Sequence, residues 1–232
     1  MKERTAQDYR ALLRAGRWFA ALPEAMQEAL LTEARVRRLS SGEVLFSRGD
    51  PPTGLFAIVE GELRISTVSD VGKEALLLLL GPPNWFGEVS VLDGQPRTHD
   101  AAAEGDAVVL QVPQAPLDAI LDGQPRYWRY LGLLVASKLR LAFEAMEDVA
   151  LLPLSMRLAR RLVLMADSYG WLPGQTRRRL EVSQDQLALM LSTSRQTVNQ
   201  LLKELEERGM VQLGRGAVEI LDVVGLREAA RL

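Results

Sequence analysis

SQDQLALMLSTSRQTVNQLLKELEERG, residues 183–209, reads as a helix, a tight turn and a second helix whose first turns carry polar side chains. Leu187, Ala188 and Leu191 give the first helix one apolar face, and Val198, Leu201, Leu202 and Leu205 do the same for the second. Ser183 and Ser194 each precede a helical run and are placed to cap its free N–H groups, while Gly209 follows as a stop. Arg195, Gln196, Asn199 and Gln200 fall opposite the leucines. Guanidinium and amide forks on that face match guanine and adenine edges, whereas a helical hairpin buried in a core has no use for them. The spacing therefore predicts a helix-turn-helix that enters a DNA major groove.

Downstream, residues 210–213 and 217–220 read as two short strands around Gly214-Arg215-Gly216, the pattern of a wing. The formal net charge of −2 conceals an asymmetry that suits this reading. Residues 153–215 carry ten Lys/Arg against six Asp/Glu, and residues 1–152 carry 16 against 21. A local positive balance is what phosphate contact requires. For Arg177-Arg178-Arg179, a solvated face and a phosphate contact both remain open.

Composition narrows the class. With 232 residues and 47% hydrophobic content the chain is long enough for two compact domains. The longest apolar run, residues 75–80, falls far short of the roughly 20 residues a membrane helix needs, and the charged start has no signal-peptide core behind it. A cytoplasmic location without membrane attachment is expected. The absence of cysteine excludes disulfides, iron–sulfur clusters and thiolate zinc sites, and the single histidine, His99, cannot build a histidine metal site alone. No metal or covalent cofactor is expected. No glycine-flanked serine elbow stands anywhere to serve His99 and Asp100, so an enzyme is not indicated.

From Gly42 to Val112 short β-type runs alternate with turn sequences: 44–46, 55–59, 63–65, 75–80 and 108–112, punctuated by Gly49-Asp50-Pro51-Pro52, Glu60-Gly61-Glu62 and Asp93-Gly94-Gln95-Pro96. A small barrel or sandwich follows. Residues 125–150 are rich in helix formers, and Trp128, Gly132, Val135, Leu139, Ala142, Met146 and Val149 trace a heptad seam, which predicts a dimerisation helix. Pro153 must interrupt it, since proline lacks an N–H donor and disfavours a helical Leu152. The expected domains are a β-roll with N-terminal helices over 1–124, a dimerisation helix and hinge over 125–152, and a winged helix-turn-helix over 153–232. Together they make an α+β chain.

Phe86-Gly87-Glu88 is followed by Pro96-Arg97-Thr98. This segment resembles the phosphate-binding cassette of cyclic-nucleotide-binding domains: Phe-Gly-Glu, a short helix, then Pro-Arg and a small residue. With Gly42-Glu43-Val44-Leu45-Phe46, Gly49-Asp50 and residues 60–65, the chain from about Leu22 to Leu221 resembles the cyclic-AMP receptor and FNR family of bacterial regulators. The resemblance implies a jelly-roll sensor in which Arg97 pairs with a cyclic phosphate, Glu88 accepts from a ribose 2′-hydroxyl, and Gly87 and Thr98 donate to phosphate oxygens. The helix positions that contact adenine in the cyclic-AMP receptor fall on Ala142 and Phe143 here. Neither makes those hydrogen bonds, although Phe143 can stack on a base, so cAMP, cGMP and a different effector stay open. Glu88 and Arg97 pairing only with each other is the remaining alternative.

On the reader side, Arg195, Gln196 and Gln200 are the expected base contacts, with Asn199 and Lys203 on the same face and Ser183, Ser194 and Thr197 positioning the backbone. The family's best-known member has glutamate and arginine where Gln196 and Gln200 stand, so a different half-site is expected. The expected function is a homodimeric, sequence-specific transcriptional regulator that binds a palindromic operator under allosteric control. Contact with RNA polymerase is implied by the resemblance alone. A cyclic-nucleotide module acting on a protein partner, and a regulator that needs no effector, are the competing readings.

Overall fold

A computed structural model describes residues 4–231. A 3₁₀ turn (Ala6–Tyr9) and helices α1 (Arg10–Ala15), α2 (Arg17–Ala20) and α3 (Glu24–Glu33) precede strands β1 (Arg35–Leu39), β2 (Val44–Phe46), β3 (Gly54–Glu60), β4 (Leu63–Val68), β5 (Glu74–Leu80) and β6 (Trp85–Phe86). Helix α4 (Glu88–Asp93), β7 (Asp100–Ala103), β8 (Ala107–Pro113), α5 (Gln114–Gly123) and the long α6 (Tyr127–Leu151) follow. After Pro153 come α7 (Leu154–Ala166), a 3₁₀ turn (Ser168–Gly170), β9 (Arg179–Leu180), α8 (Gln184–Leu191), α9 (Arg195–Glu207), β10 (Val211–Gly214), β11 (Ala217–Ile220) and α10 (Val223–Ala229).

Two four-stranded antiparallel sheets, ordered β1-β8-β3-β6 and β2-β7-β4-β5, form the roll. The central strand β3 is buried on both faces, which is why it reads as a continuous apolar run rather than an alternating one. Leu55, Ala57 and Val59 point one way, into a core shared with Leu13, Phe19, Leu30, Leu117, Leu121 and Leu131 of the surrounding helices. Phe56, on the opposite face, packs against Phe46 and Phe86 with ring centroids 5.7 and 5.5 Å away. This aromatic trio forms the floor of the site described below.

The chain divides into two compact units: 1–67, 78–139 and 171–173 in one, and 68–77, 140–170 and 174–232 in the other. In the second unit Leu158, Leu162, Leu187, Leu191, Val198, Leu202 and Leu205 are buried together with Val211, Val218 and Ile220. The core positions expected of the helix-turn-helix are therefore occupied, with Leu201 half-buried at its edge. A three-stranded sheet, β10-β11-β9, forms the wing. Its outer strand β9 pairs Leu180 with Val218 and Arg179 with Glu219. Pro153 stands at the start of α7 with φ −62° and ψ 155°, ending the long helix where its ring requires. Among the described residues no helix is long and apolar enough to cross a membrane, and no group of acidic and histidine side chains could hold a metal ion.

Candidate functional site

Gly87 opens the cassette at φ +91°, a conformation that favours glycine. A Cβ built there would lie 2.8 Å from Arg97 Nη1, so the position admits no side chain while the guanidinium keeps its place. Arg97 is held from both ends. Its main chain is pinned to the preceding turn, with Arg97 N–H donating to the Asp50 carbonyl and Gly49 N–H donating to the Arg97 carbonyl, both at 2.8 Å. The Gly49-Asp50 turn is itself tied by Ser47 N–H to Asp50 Oδ2 at 2.7 Å.

Arg97 is 3% exposed. Nη1 donates to the Gly87 carbonyl at 2.9 Å, and Nη2 donates to the Gly54 carbonyl at 2.9 Å and to Thr53 Oγ1 at 3.3 Å. The guanidinium carbon lies 4.5 Å from the Phe46 ring centroid and 5.5 Å from that of Phe56. Nε is buried without a hydrogen-bond partner. Burial lowers the pKa of this guanidinium, against the opposing pull of Glu88 and Asp50. It remains a cation at neutral pH, desolvated and hydrogen-bonded to neutral oxygens only.

Glu88, with a side chain 3% exposed, pairs with Lys138 of α6: Nζ to Oε2 is 2.6 Å. The Lys138 ammonium also lies 5.3 Å from the Trp171 ring centroid, within cation–π range. Glu88 is thus paired with Lys138, while the Arg97 guanidinium has no carboxylate bonded to it. A compact anion suits a buried guanidinium so placed. The pairing of Glu88 with Arg97 weighed from sequence is not what forms; Glu88 turns to Lys138 instead. Lys138 lies beside the heptad seam, and nothing local in the sequence marks a lysine that reaches a carboxylate fifty residues earlier.

Thr98 is exposed, with Oγ1 2.9 Å from His99 Nδ1. Ala142 and Phe143 lie one turn beyond Lys138 on α6, both exposed, Phe143 to 53%. Gly87, Glu88 and Arg97 are therefore brought together, with Lys138 added to them.

In the second unit the two capping serines act as their positions predict. Ser183 Oγ accepts from Gln186 N–H at 3.2 Å while Gln186 Oε1 accepts from Ser183 N–H at 2.7 Å, a closed capping box. Ser194 Oγ accepts from Thr197 N–H at 3.1 Å. Ser192, at φ 54°, makes the turn between the helices. Arg195, Gln196, Gln200 and Lys203 are exposed along one side of α9. Arg195 Nη1 lies 3.3 Å from Asp185 Oδ2, with both side chains about two-thirds exposed. Such a pair is worth little in water and exchanges readily for a base edge or phosphate. Asn199 donates to Gln184 Oε1 at 3.0 Å, which ties α9 to α8. Of the arginine run, Arg178 donates to the Leu221 carbonyl and Arg179 pairs with Glu181 at 2.6 Å, so both brace the wing sheet.

The fold and the site define a chain of two modules, a β-roll whose cassette holds a buried guanidinium and a winged helix-turn-helix. Residues 36–124 match the cyclic nucleotide-binding domain model and residues 156–229 the Crp-like helix-turn-helix domain. A curated relative from Mycobacterium tuberculosis, a CRP-like cAMP-activated global transcriptional regulator, is 28% identical over 95% of this chain and 98% of its own. The cyclic AMP receptor protein of Thermus thermophilus is 31% identical over 90% of this chain and 93% of its own. Among solved structures, FixK2 from Bradyrhizobium japonicum superposes with a TM-score of 0.75 at 19% identity, covering 86% of this chain and 98% of that one. A CRP/FNR-family transcriptional regulator from Thermus thermophilus does so with a TM-score of 0.67 at 26% identity, covering 84% and 98%. The chain belongs to the CRP/FNR family of transcriptional regulators, and that family is not one of enzymes.

Proposed function

We propose that the protein acts in the cytoplasm as a homodimer that binds a palindromic operator when a cyclic nucleotide occupies the β-roll. The observation that carries the effector half is Arg97, a buried guanidinium whose bonds go to two carbonyls and a hydroxyl and to no carboxylate. A cyclic phosphodiester supplies the missing anion, Glu88 accepts from the ribose 2′-hydroxyl, and Gly87 and Thr98 donate to phosphate oxygens. Ala142 and Phe143 offer the base a small apolar position and a stacking face. Leu139, Met146 and Val149, exposed members of the heptad seam on α6, supply the face for a second copy.

Binding of the nucleotide shifts Glu88 from Lys138 to the ribose, and Lys138 is part of the same helix that carries the seam. The DNA-reading units then turn about Leu151-Leu152-Pro153. A tenfold bias toward the DNA-competent arrangement requires a differential affinity of only about 1.4 kcal/mol. Arg195, Gln196 and Gln200 read base edges, Asn199 and Lys203 flank them, and Ser183, Ser194 and Thr197 set the backbone on the phosphates. Arg195→Ala then costs about 1–3 kcal/mol at one base pair, whereas an equal loss on every sequence marks a phosphate contact. RNA polymerase is the expected partner at the promoter.

Isothermal titration with cAMP, cGMP and their 2′-deoxy analogues tests the pocket. One ribonucleotide binds, its 2′-deoxy form binds at least about tenfold more weakly, as expected for a lost hydrogen bond to a carboxylate, and Arg97→Ala abolishes both. A second reading, a regulator that needs no small molecule, is favoured by one observation: Lys138 already satisfies Glu88. Under that reading no nucleotide raises the melting temperature, because ligand binding to the folded state must stabilise it.

A further inference from the structure

The wing carries a guanidinium that the recognition helix does not account for. Strands β10 and β11 pair Gly214 with Ala217, so Arg215 and Gly216 alone make the turn. Gly216 takes the positive φ, +71°, and Arg215 remains in an ordinary conformation. Arg215 is exposed between two exposed glycines, so no neighbouring side chain shields it. Elsewhere on the two strands the polar side chains are Gln212 and the acidic Glu219. Arg215 is thus the one charged side chain of the turn itself.

A hydrogen bond and a shared cleft relate that tip to the reading head. Leu213 N–H donates to Glu206 Oε1 of α9 at 2.8 Å, which fastens β10 to the recognition helix. Arg215 and Arg195 line one cleft of about 230 Å³ together with Ser183, Gln184, Asp185 and the strand residues 213–218. The wing tip and the start of the recognition helix therefore open onto the same face. Four strand residues span roughly 13 Å at about 3.3 Å each, and the arginine side chain extends beyond the turn. With α9 in a major groove, a hairpin that opens onto the same face extends along the duplex toward the neighbouring minor groove.

We propose that Arg215 is a second specificity-determining residue, inserted into the minor groove that flanks each half-site and selecting for the narrow groove of A·T tracts. The inference rests on the DNA-reading assignment made above. A narrow A-tract groove has an enhanced negative potential, and guanidinium enters it readily because it is more weakly hydrated than ammonium. Guanine obstructs the groove floor with its exocyclic amine, which adenine lacks. A hairpin whose turn is one arginine and one glycine is narrow enough to follow its side chain to a groove about 6 Å wide.

The test uses full-length protein and anisotropy titrations at one fixed salt concentration, on duplexes that share a selected operator and differ only in the flanks. Wild type binds A-tract flanks about fivefold to tenfold more tightly than G·C flanks. Inosine·cytosine flanks, which remove the guanine amine and leave the major-groove carbonyl, bind like A-tracts. Arg215→Ala binds all three flanks equally while still preferring the operator over a scrambled core, and Arg215→Lys recovers only part of the preference. Equal weakening of Arg215→Ala on every flank makes Arg215 a phosphate contact and overturns the proposal, as does inosine behaving like guanine. If wild type selects no operator at all, the DNA-reading assignment itself has failed. If it selects one without flank preference, only this inference has.

Discussion

Lys138 Nζ and Glu88 Oε2 stand 2.6 Å apart, joining the long helix to the first residue of the cassette helix. The carboxylate is nearly enclosed while the lysine retains 21% of its side-chain exposure. Removing the lysine leaves a buried carboxylate without a counter-charge. Lys138→Met should therefore lower stability in urea unfolding by about 2 kcal/mol, less than the roughly 3–5 kcal/mol of a fully buried pair because water still reaches the ammonium. Glu88→Gln added to that background should recover most of the loss. A double-mutant cycle without coupling would mean that the pair contributes nothing to the fold.

Gly87 tests the geometry from the other side. Alanine there must adopt φ +91° and bring its Cβ to within 2.8 Å of the Arg97 guanidinium. Gly87→Ala should lower stability by about 1–3 kcal/mol and weaken nucleotide binding by more than stability alone explains, since Arg97 is pushed from its carbonyl partners. Differential scanning calorimetry and titration on the same preparations check both. Unaltered nucleotide affinity would show that Arg97 need not stay where it lies.

These two residues also show what was legible beforehand. The Gly87-Glu88 and Arg97 pattern, the capping serines and the glycine-flanked wing turn announce themselves because each depends on residues close in sequence with a fixed local geometry, although Gly214 pairs as the last residue of β10 rather than lying in the turn. Strands β1, β6, β7 and β9 were not foreseen. Arg35–Leu39 holds three arginines among its five residues, Trp85–Phe86 and Arg179–Leu180 are two residues long, and Asp100–Ala103 is mostly alanine, so each owes its strand conformation to the partner it pairs with. Lys138 belongs to the same class: its role depends on a tertiary contact across fifty positions, which no local spacing records.

His99 supplies a pH dependence. Burial lowers its pKa and Arg48 lowers it further, with Asp100 opposing. The unfolded chain, with an imidazole pKa of about 6.5, then binds the proton more readily than the folded one. The stability that this group contributes is complete above that value and is lost as pH falls through the lower folded pKa. Melting temperatures measured downward from neutral pH should decline, and His99→Asn should remove part of the decline. Because His99 is the single histidine of the chain, no other imidazole can mimic the effect. An unaltered profile in the variant would place the titrating group elsewhere.

Met146 is 67% exposed and Val149 63%, an unusual display of apolar surface for two helix positions three apart. If a second copy covers them, Met146→Glu places two carboxylates against each other in a low-dielectric seam. Light scattering after size exclusion should then report a monomer at concentrations where wild type is a dimer. Operator affinity should fall by at least about a hundredfold, since one half-site replaces two. A dimeric Met146→Glu would move the interface away from this seam.

The most direct test of the central claim is an anisotropy selection on random duplex DNA at one near-physiological salt concentration, without nucleotide, with cAMP and with cGMP. Salt must be held because it alone changes affinity by orders of magnitude. The account predicts a palindromic sequence enriched with one of the two nucleotides and not without it. A palindrome enriched equally in all three arms would contradict the effector-controlled reading, and the absence of any enriched sequence would contradict the assignment of residues 195–203 as the DNA-reading face.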